Sequence, residues 1–266
     1  FQRRWFFQIG GLDVSELDAD VEIKKTIRRE PNTCTLTVYN LSESSRSSIG
    51  DRPFLQVKAG YSTQDPIPTL FSGETRKIEH SINGLESTTV LEARDSGREY
   101  RTGRISRSYG PRTAVDRVLF DAIDAMGVGQ GNVATQTIRL SNGATVFADG
   151  YVAHGAAHRV VNDILRGAGY RWSVQNGAIQ VLRRGRPLQA TAVELKASSG
   201  LLGSPSQGDR GIVTAVALLQ PGLEPGRRIN LQSQTVTGGY EVRSVVYRGS
   251  TYSDSWEAEL ELRPES

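Results

Sequence analysis

Three histidines, one cysteine, a spaced run of glycines and a group of aspartates are the residues whose types could support chemistry in this chain. His154 and His158 stand four apart, the spacing that brings two imidazoles to one helix face for a metal ion. No glutamate follows His154, so the zinc-peptidase pattern is not made, and Gly155 between them falls near a helix start. His80 lies in a strand pattern and is expected to face solvent or a cross-strand neighbour. Cys34 is the single cysteine, which excludes an intrachain disulfide. Its place among Thr33, Thr35 and Thr37 marks a small buried hydrophobe, not a nucleophilic thiol.

Gly127, Gly129 and Gly131 are spaced like part of a dinucleotide fingerprint. That fingerprint joins a strand to a helix, whereas these glycines follow a helix and no Walker lysine comes after them. They are expected to form a helix C-cap and a flexible loop. Asp13, Asp18 and Asp20 would suit a glycosidase or a cation, but the fixed spacing and turn glycine of a calcium loop are missing. A solvated loop is the expectation. No Gly-x-Ser-x-Gly elbow occurs, and the serines of 42–48 read as turn or helix-cap chemistry. No catalytic, cofactor-binding or metal-binding residue is therefore assigned, and an enzyme is not expected.

The wider composition fits a globular protein. The chain has 266 residues, 37% hydrophobic and 23% charged, enough for one or two domains with a sizeable core. No apolar run reaches the roughly 20 residues of a membrane helix, so no membrane insertion is expected. The chain starts at Phe1, not Met; Phe1–Ile9 is aromatic and basic but too short for a signal peptide, and no small-residue cleavage pattern follows it. Basic and acidic residues number 32 and 29, a net charge of +3. The basic residues read as spread along the chain. Arg183, Arg184 and Arg186 cluster after a hairpin and before Pro187, as a solvated loop would. Arg171-Trp172 and Tyr247-Arg248 are the pairs that would serve a nucleic-acid-binding face, where aromatics interleave with basic residues.

Three textures follow one another. In the first, Val21, Ile23 and Lys25 alternate, as do Cys34, Leu36 and Val38 against Thr33, Thr35 and Thr37, the period of half-buried strands. A short run over 54–61 ends at Gly60 and the Asp65-Pro66 turn signal. The segments 76–82 and 85–93 flank Asn83-Gly84, a type I′ hairpin signal. In the second, Ala114, Val115, Val118, Leu119, Ala122, Ile123 and Met126 make one apolar helix face, with Pro111 suited to its first turn and Gly127 to its stop. A second helix carries Val160, Val161, Ile164 and Leu165 and stops at Gly167 and Gly169. A hairpin around Asn176-Gly177 follows. In the third, 199–208 reads as a linker or loop, 212–219 as a buried strand, and 221–225 as a turn. Gly238-Gly239 reads as a tight turn. Trp256, Ala258, Leu260 and Leu262 alternate with Glu257, Glu259 and Glu261, a strand with one buried face. The fold class is mainly β, α+β overall, with a small α/β insert of two helices and a hairpin. Short strands and tight turns favour closed or stacked sheets.

Several segments in order resemble a known family. They are Tyr151-Val152-Ala153-His154-Gly155; Gly169-Tyr170-Arg171-Trp172-Ser173-Val174-Gln175-Asn176-Gly177 with Ile179-Gln180-Val181-Leu182; Ser199-Gly200-Leu201-Leu202-Gly203-Ser204-Pro205; Leu218-Leu219-Gln220-Pro221-Gly222-Leu223-Glu224-Pro225-Gly226-Arg227-Arg228; Gly238-Gly239-Tyr240; and the closing Trp256 strand. Together they resemble the baseplate hub proteins of tailed phages, the group that includes protein D of contractile-tail phages, with relatives among Mu-type hubs and the N-terminal part of the type VI secretion VgrG spike. Over the first hundred residues the resemblance rests on strand order and on Tyr39-Asn40-Leu41-Ser42. Where the family often has Gly-Asp before the Trp strand, this chain has Gly249-Ser250, with Asp254 later.

The resemblance implies two tube-type β-barrel domains with an α/β decoration: residues 1–100 a first barrel, 101–190 the insert, 191–266 a second barrel segment. It implies a structural virion protein, a homotrimer joining the six-fold tail tube to a three-fold spike or tip. Expected partners are the distal tail or tube protein, the spike or tip protein and the end of a tape-measure protein, with DNA only in transit through the lumen. The place would be the virion tail, assembled in the bacterial host cytoplasm. Two other readings stand beside it: a nucleic-acid-binding β-barrel module, and a tail-associated cell-wall hydrolase.

Overall fold

The computed structural model describes residues 2–188 and 190–265. Strands hold 49% of the chain and helices 16%, a mainly β fold with a helical insert. In chain order the elements are β1 (Arg3–Ile9), β2 (Leu12–Asp13), β3 (Ala19–Thr26), β4 (Thr33–Tyr39), α1 (Glu43–Ser48), β5 (Phe54–Tyr61), β6 (Thr69–Asn83), β7 (Glu86–Arg94), α2 (Glu99–Thr102), β8 (Arg104–Tyr109), β9 (Thr113–Ala114) and α3 (Val115–Ala125). Then come β10 (Val146–Phe147), β11 (Tyr151–Ala156), α4 (Ala157–Gly167), β12 (Tyr170–Gln175), β13 (Ala178–Arg183), β14 (Val193–Leu195), β15 (Leu201–Gln207), β16 (Val213–Leu218), β17 (Arg228–Gln232), β18 (Thr237–Ser250) and β19 (Trp256–Pro264). Among the described residues no helix is long and apolar enough to cross a membrane.

The chain forms two compact units. The sheet unit comprises 1–27, 32–95 and 187–266; the helical unit comprises 28–31 and 96–186. The sheet unit is one curled, 13-stranded sheet in the order β15-β16-β19-β18-β3-β4-β7-β6-β5-β1-β2, with β17 on β18 and β14 on β17. Among the described residues of this sheet only the β14–β17 pair is parallel. The 14-residue β18 changes partner along its length: Thr237–Glu241 pairs with β17 and Ser244–Ser250 with β3. The switch falls at Arg243, where the β18–β19 register shifts and the carbonyl of Arg243 accepts the N–H of Ile27. Strands from both ends of the sequence thus share one sheet through β3 and β18. The inner face buries Val21, Ile23, Leu36, Val38, Leu91, Val245, Tyr247, Leu260 and Leu262, each fully buried aliphatic side chain adding about 1.5–3 kcal/mol. The alternation read from 33–38 and 256–262 is the one observed.

The helical unit has its own core. α3 buries Val115, Val118, Leu119, Ala122 and Ile123, and α4 buries Val160, Val161, Ile164 and Leu165. They pack with the β8–β11 ribbon and the β12–β13 hairpin. Asn176 and Gly177 both take positive φ (52° and 77°) between the paired Gln175 and Ala178, as the expected type I′ turn requires. Gly127 takes φ 65° just past the end of α3, an αL stop.

Five expectations are corrected. At the β6–β7 hairpin the pair Asn83↔Glu86 closes a two-residue loop, Gly84-Leu85, so the turn sits one residue later than Asn83-Gly84. Gly84 alone has positive φ (65°), the arrangement in which glycine leads the loop. Gly238-Gly239 is not a turn but part of β18, paired with Leu231 and Asn230; the reversal lies at 233–236, where Ser233 accepts the N–H groups of Thr235 and Val236. Residues 201–207 form β15 rather than a loop, with a register shift between Leu202 and Ser206 that accommodates Pro205. Pro111 precedes α3 in a turn with Arg112 at φ 63°, outside the helix's first turn. The basic residues are not spread. The helical unit holds 15 arginines and no lysine against 7 acidic residues, a net +8, which leaves 17 basic and 22 acidic residues, a net −5, in the sheet unit.

Candidate assembly interface

The residues singled out for chemistry do not converge. His154 lies exposed in β11, where Nδ1 is 3.3 Å from Ser106 Oγ, while His158 lies in α4. The two therefore do not share a helix face. Burial, then the charges of Arg159 and Arg29, hold the His158 imidazole below its ordinary pKa. Cys34 is buried, and burial pushes its thiol far above the ordinary range, the opposite of what a nucleophile needs. His80 Nδ1 meets Thr89 Oγ1 across the β6–β7 pair at 2.9 Å. Among the described residues no three His, Cys, Asp or Glu side chains gather as a metal cluster.

Asp13, Asp18 and Asp20 likewise part company. Asp13 Oδ1 accepts the N–H and hydroxyl of Ser15, and the Asp18 carbonyl accepts the N–H of Tyr39. Asp20 sits in β3, not a loop, and its Oδ2 takes the hydroxyls of Tyr39 (2.9 Å) and Tyr252 (2.6 Å). Gly129 and Gly131 are not a flexible loop. Gly129 exchanges 2.8 Å backbone hydrogen bonds with Gly177 and Ile179, and at Gly131 a Cβ would collide with the carbonyl of Ile179. Ser42 is a helix cap: its hydroxyl accepts the N–H of Ser45 at the start of α1. Just before it, Asn40 takes φ 54° and bonds Ser87 with both backbone and side chain, which explains the Tyr39-Asn40-Leu41-Ser42 pattern as a strand ending.

The pairs proposed for nucleic acid are committed elsewhere. Trp172 is 3% exposed and meets Tyr100 edge to face. Tyr247 is fully buried with its hydroxyl donating to the Leu223 carbonyl at 2.9 Å. Arg248 is held between Glu22 (3.2 Å) and Glu259 (2.9 Å). None of these aromatics offers a free face to a base. Arg183 lies over the ring of Tyr170, and Arg184 and Arg186 are exposed in the turn beyond it.

The two most distinctive sequence stretches meet in the sheet unit. Gln220 Nε2 donates to the Ser199 carbonyl at 2.6 Å and Leu218 N–H to the Gly200 carbonyl at 2.7 Å. Gly200 takes φ 102°, and a Cβ there would meet the Gln220 amide. Leu219 and Leu223 are buried, so the 218–228 stretch closes over the core instead of offering a binding loop.

What stays open is backbone. Among the described residues β15 pairs only with β16, and a groove of about 700 Å³ runs beside it, lined by Lys196, Leu201, Gly203, Ser204, Gln232 and Ser233. At the other end the sheet finishes on the two-residue β2, which covers only Gln8 and Ile9 of β1. Near that edge Trp5 meets Trp256 edge to face at 6.2 Å, and Arg3 lies over Trp256 while donating to the carbonyls of Ser253 and Asp254. Between these ends the β6–β7 hairpin outruns its neighbours: β5 pairs with β6 only as far as Glu74, and β4 with β7 only from Thr88. Its tip exposes Ile82 (68%) and Leu85 (104%). Sequence reasoning placed the hairpin but missed this arm; the signal was two apolar residues flanking an Asn-Gly pair, where polar residues are usual.

The open-edged, curled sheet with a helical insert belongs to a recognisable class of fold, that of phage tail proteins. The 43 kDa tail protein of prophage MuSo2 from Shewanella oneidensis superposes with a TM-score of 0.66 at 8% identity, over 99% of this chain and 97% of that one. A tail protein from Neisseria meningitidis MC58 gives 0.67 at 9% identity, over 100% and 97%. The E. coli c3393 protein, a type VI secretion component with structural similarity to the T4 tail proteins gp27 and gp5, gives 0.60 at 13% identity, over 98% and 77%. No family model and no curated protein matches the chain by sequence.

Proposed function

We propose that this chain is a non-enzymatic structural subunit of a phage-type tail, the hub that joins a six-fold tube to a three-fold spike or tip as a homotrimer. The observation that carries the reading is the open sheet: a 13-stranded sheet of tail-protein fold in which, among the described residues, β15 has a strand partner on one side only and β2 covers only Gln8 and Ile9 of β1. Unpaired edges on a monomer invite pairing with another chain, and a symmetric assembly uses them where a lone subunit must cover them. A non-catalytic role is supported by the side chains themselves, since Cys34, Asp20 and the two histidines of 154–158 are buried, bonded or apart. The partners would be tube, spike and tape-measure proteins, the place the virion tail assembled in host cytoplasm, and DNA would only pass through.

The test is the mass of the purified chain in solution by light scattering, alone and mixed with the protein encoded beside it. A trimer, alone or on mixing, supports the hub. A monomer indifferent to that neighbour overturns it. Salt-sensitive DNA binding would then favour the nucleic-acid module, and clearing of cell walls the hydrolase.

A further inference from the structure

We infer that the helical unit is a cationic docking surface for the sheet unit of a second copy of this chain, so that copies join head to tail. The inference rests on the trimer reading above. Its first ground is the division of charge, +8 on the helical unit and −5 on the sheet unit. Every copy then carries both halves of a complementary pair, and a heterologous contact between the two halves closes a ring in which each half is used once. The second ground is that every basic residue of the helical unit is arginine. Its planar fork grips a carboxylate through two parallel hydrogen bonds and is less strongly hydrated than an ammonium, which suits an interface that loses water.

The third ground is a specific face. In the β8–β11 ribbon, Ile105 and Ala153 turn inward to the core, while Arg104, Ser106, Ser108, Val152 and His154 are exposed on the other side. Val152, 70% exposed, gives this face an exposed apolar residue, and Arg104 gives it a guanidinium. Nucleic acid is the other polyanion such a surface would attract, but single strands are held by aromatic platforms. Here Tyr100, Tyr170 and Trp172 are buried, and Phe120, Tyr109, Phe147 and Tyr151 are packed against the same core. Without such a platform the unit offers nothing for base stacking, and binding of duplex DNA through phosphates is an outcome of the test below.

The experiment compares wild type, Arg104→Glu and Val152→Asp by light scattering from 50 to 500 mM NaCl, with thermal unfolding as the control for folding. Each replaced side chain is exposed, so the thermal unfolding midpoint should stay close to that of wild type. Expected is a wild-type trimer whose dissociation constant rises about tenfold or more with salt, and variants that fall toward monomer mass already at 50 mM. A trimer indifferent to salt and to both variants overturns this inference and leaves the hub reading standing. A monomer under every condition, with or without the neighbouring protein, removes both. Variants that keep the trimer but lose binding to a double-stranded DNA oligonucleotide assign the patch to nucleic acid and overturn the inference as well.

Discussion

Lys25 Nζ lies 3.5 Å from Glu224 Oε1 with its own side chain almost wholly buried, and it donates to the Leu70 carbonyl at 3.1 Å. A cation on the inner face of β3 thereby ties the 218–228 stretch to the core. Burial is the largest influence on Lys25 and depresses its pKa, with Glu224 and Asp95 opposing. The native ammonium thus releases its proton at a lower pH than the unfolded chain's. Between that depressed value and the ordinary 10.5, the unfolded state binds more protons and stability rises with pH. Lys25→Met should abolish this rise while staying within about 1 kcal/mol of wild type, since an apolar isostere replaces a costly buried charge. Urea unfolding of both proteins from pH 8 to 10.5 measures it, and parallel slopes would refute it.

Glu224→Gln removes the charge and leaves the ammonium behind. The expected loss is roughly 1–2 kcal/mol at pH 7, small for a buried cation because Glu224 is 40% exposed and already partly screened. Combining it with Lys25→Met should recover most of that loss, which a double-mutant cycle reads directly.

Tyr247 behaves in the opposite sense. Burial, then Glu224, raises its pKa well above 10. Its contribution is fully present below the ordinary value and is lost as pH climbs above it. Tyr247→Phe should cost about 1 kcal/mol at neutral pH for the lost hydrogen bond to Leu223 and should lessen the alkaline loss of stability above pH 10. An unchanged alkaline limb would count against the assignment.

Gly131 and Gly143 separate strain from collision. Both take positive φ, 50° and 82°, but a Cβ at Gly131 runs into the Ile179 carbonyl whereas one at Gly143 meets nothing. Gly143→Ala should cost about 1 kcal/mol; Gly131→Ala should cost at least twice that, roughly 2–4 kcal/mol, because the β12–β13 hairpin must shift as well. Thermal melts of the two variants side by side decide it.

At the arm, Ile82→Ser with Leu85→Ser should leave unfolding within about 0.5 kcal/mol of wild type while weakening association with another copy or with the adjoining tail protein. Unchanged masses in light scattering would show that the arm plays no part in assembly.

Much of the sheet was legible because burial of one face imposes a period of two: Cys34, Leu36 and Val38, then Trp256 through Leu262, could hardly be anything else. The helices of 115–125 and 157–167 were legible from their apolar stripes for the same reason. Three things were hidden. Lys25 read as one more alternating residue, and only the folded 218–228 stretch reveals that its partner lies some two hundred positions on. Gly84 and Gly238 showed that a glycine pair states a conformational freedom, not a register, which pairing along the whole strand decides. The charge division is present in the sequence of 96–186 alone, 13 arginines against 6 acidic residues, but a net charge near zero for the whole chain masks it until the boundaries of the folded unit are known.

The seam between β3 and β18 also governs how the protein can be made. Ala19 N–H bonds Thr251 Oγ1, 232 positions further along. At roughly 5–20 residues per second of translation, the N-terminal strands emerge from the ribosome on the order of 10–50 s before the strand that completes their sheet. The helical unit, finished by Arg186, is ready to fold in that interval, while β3 waits with a bare edge. A nascent chain released early would present that edge to its neighbours, so premature termination anywhere before β18 should yield aggregates rather than smaller soluble proteins.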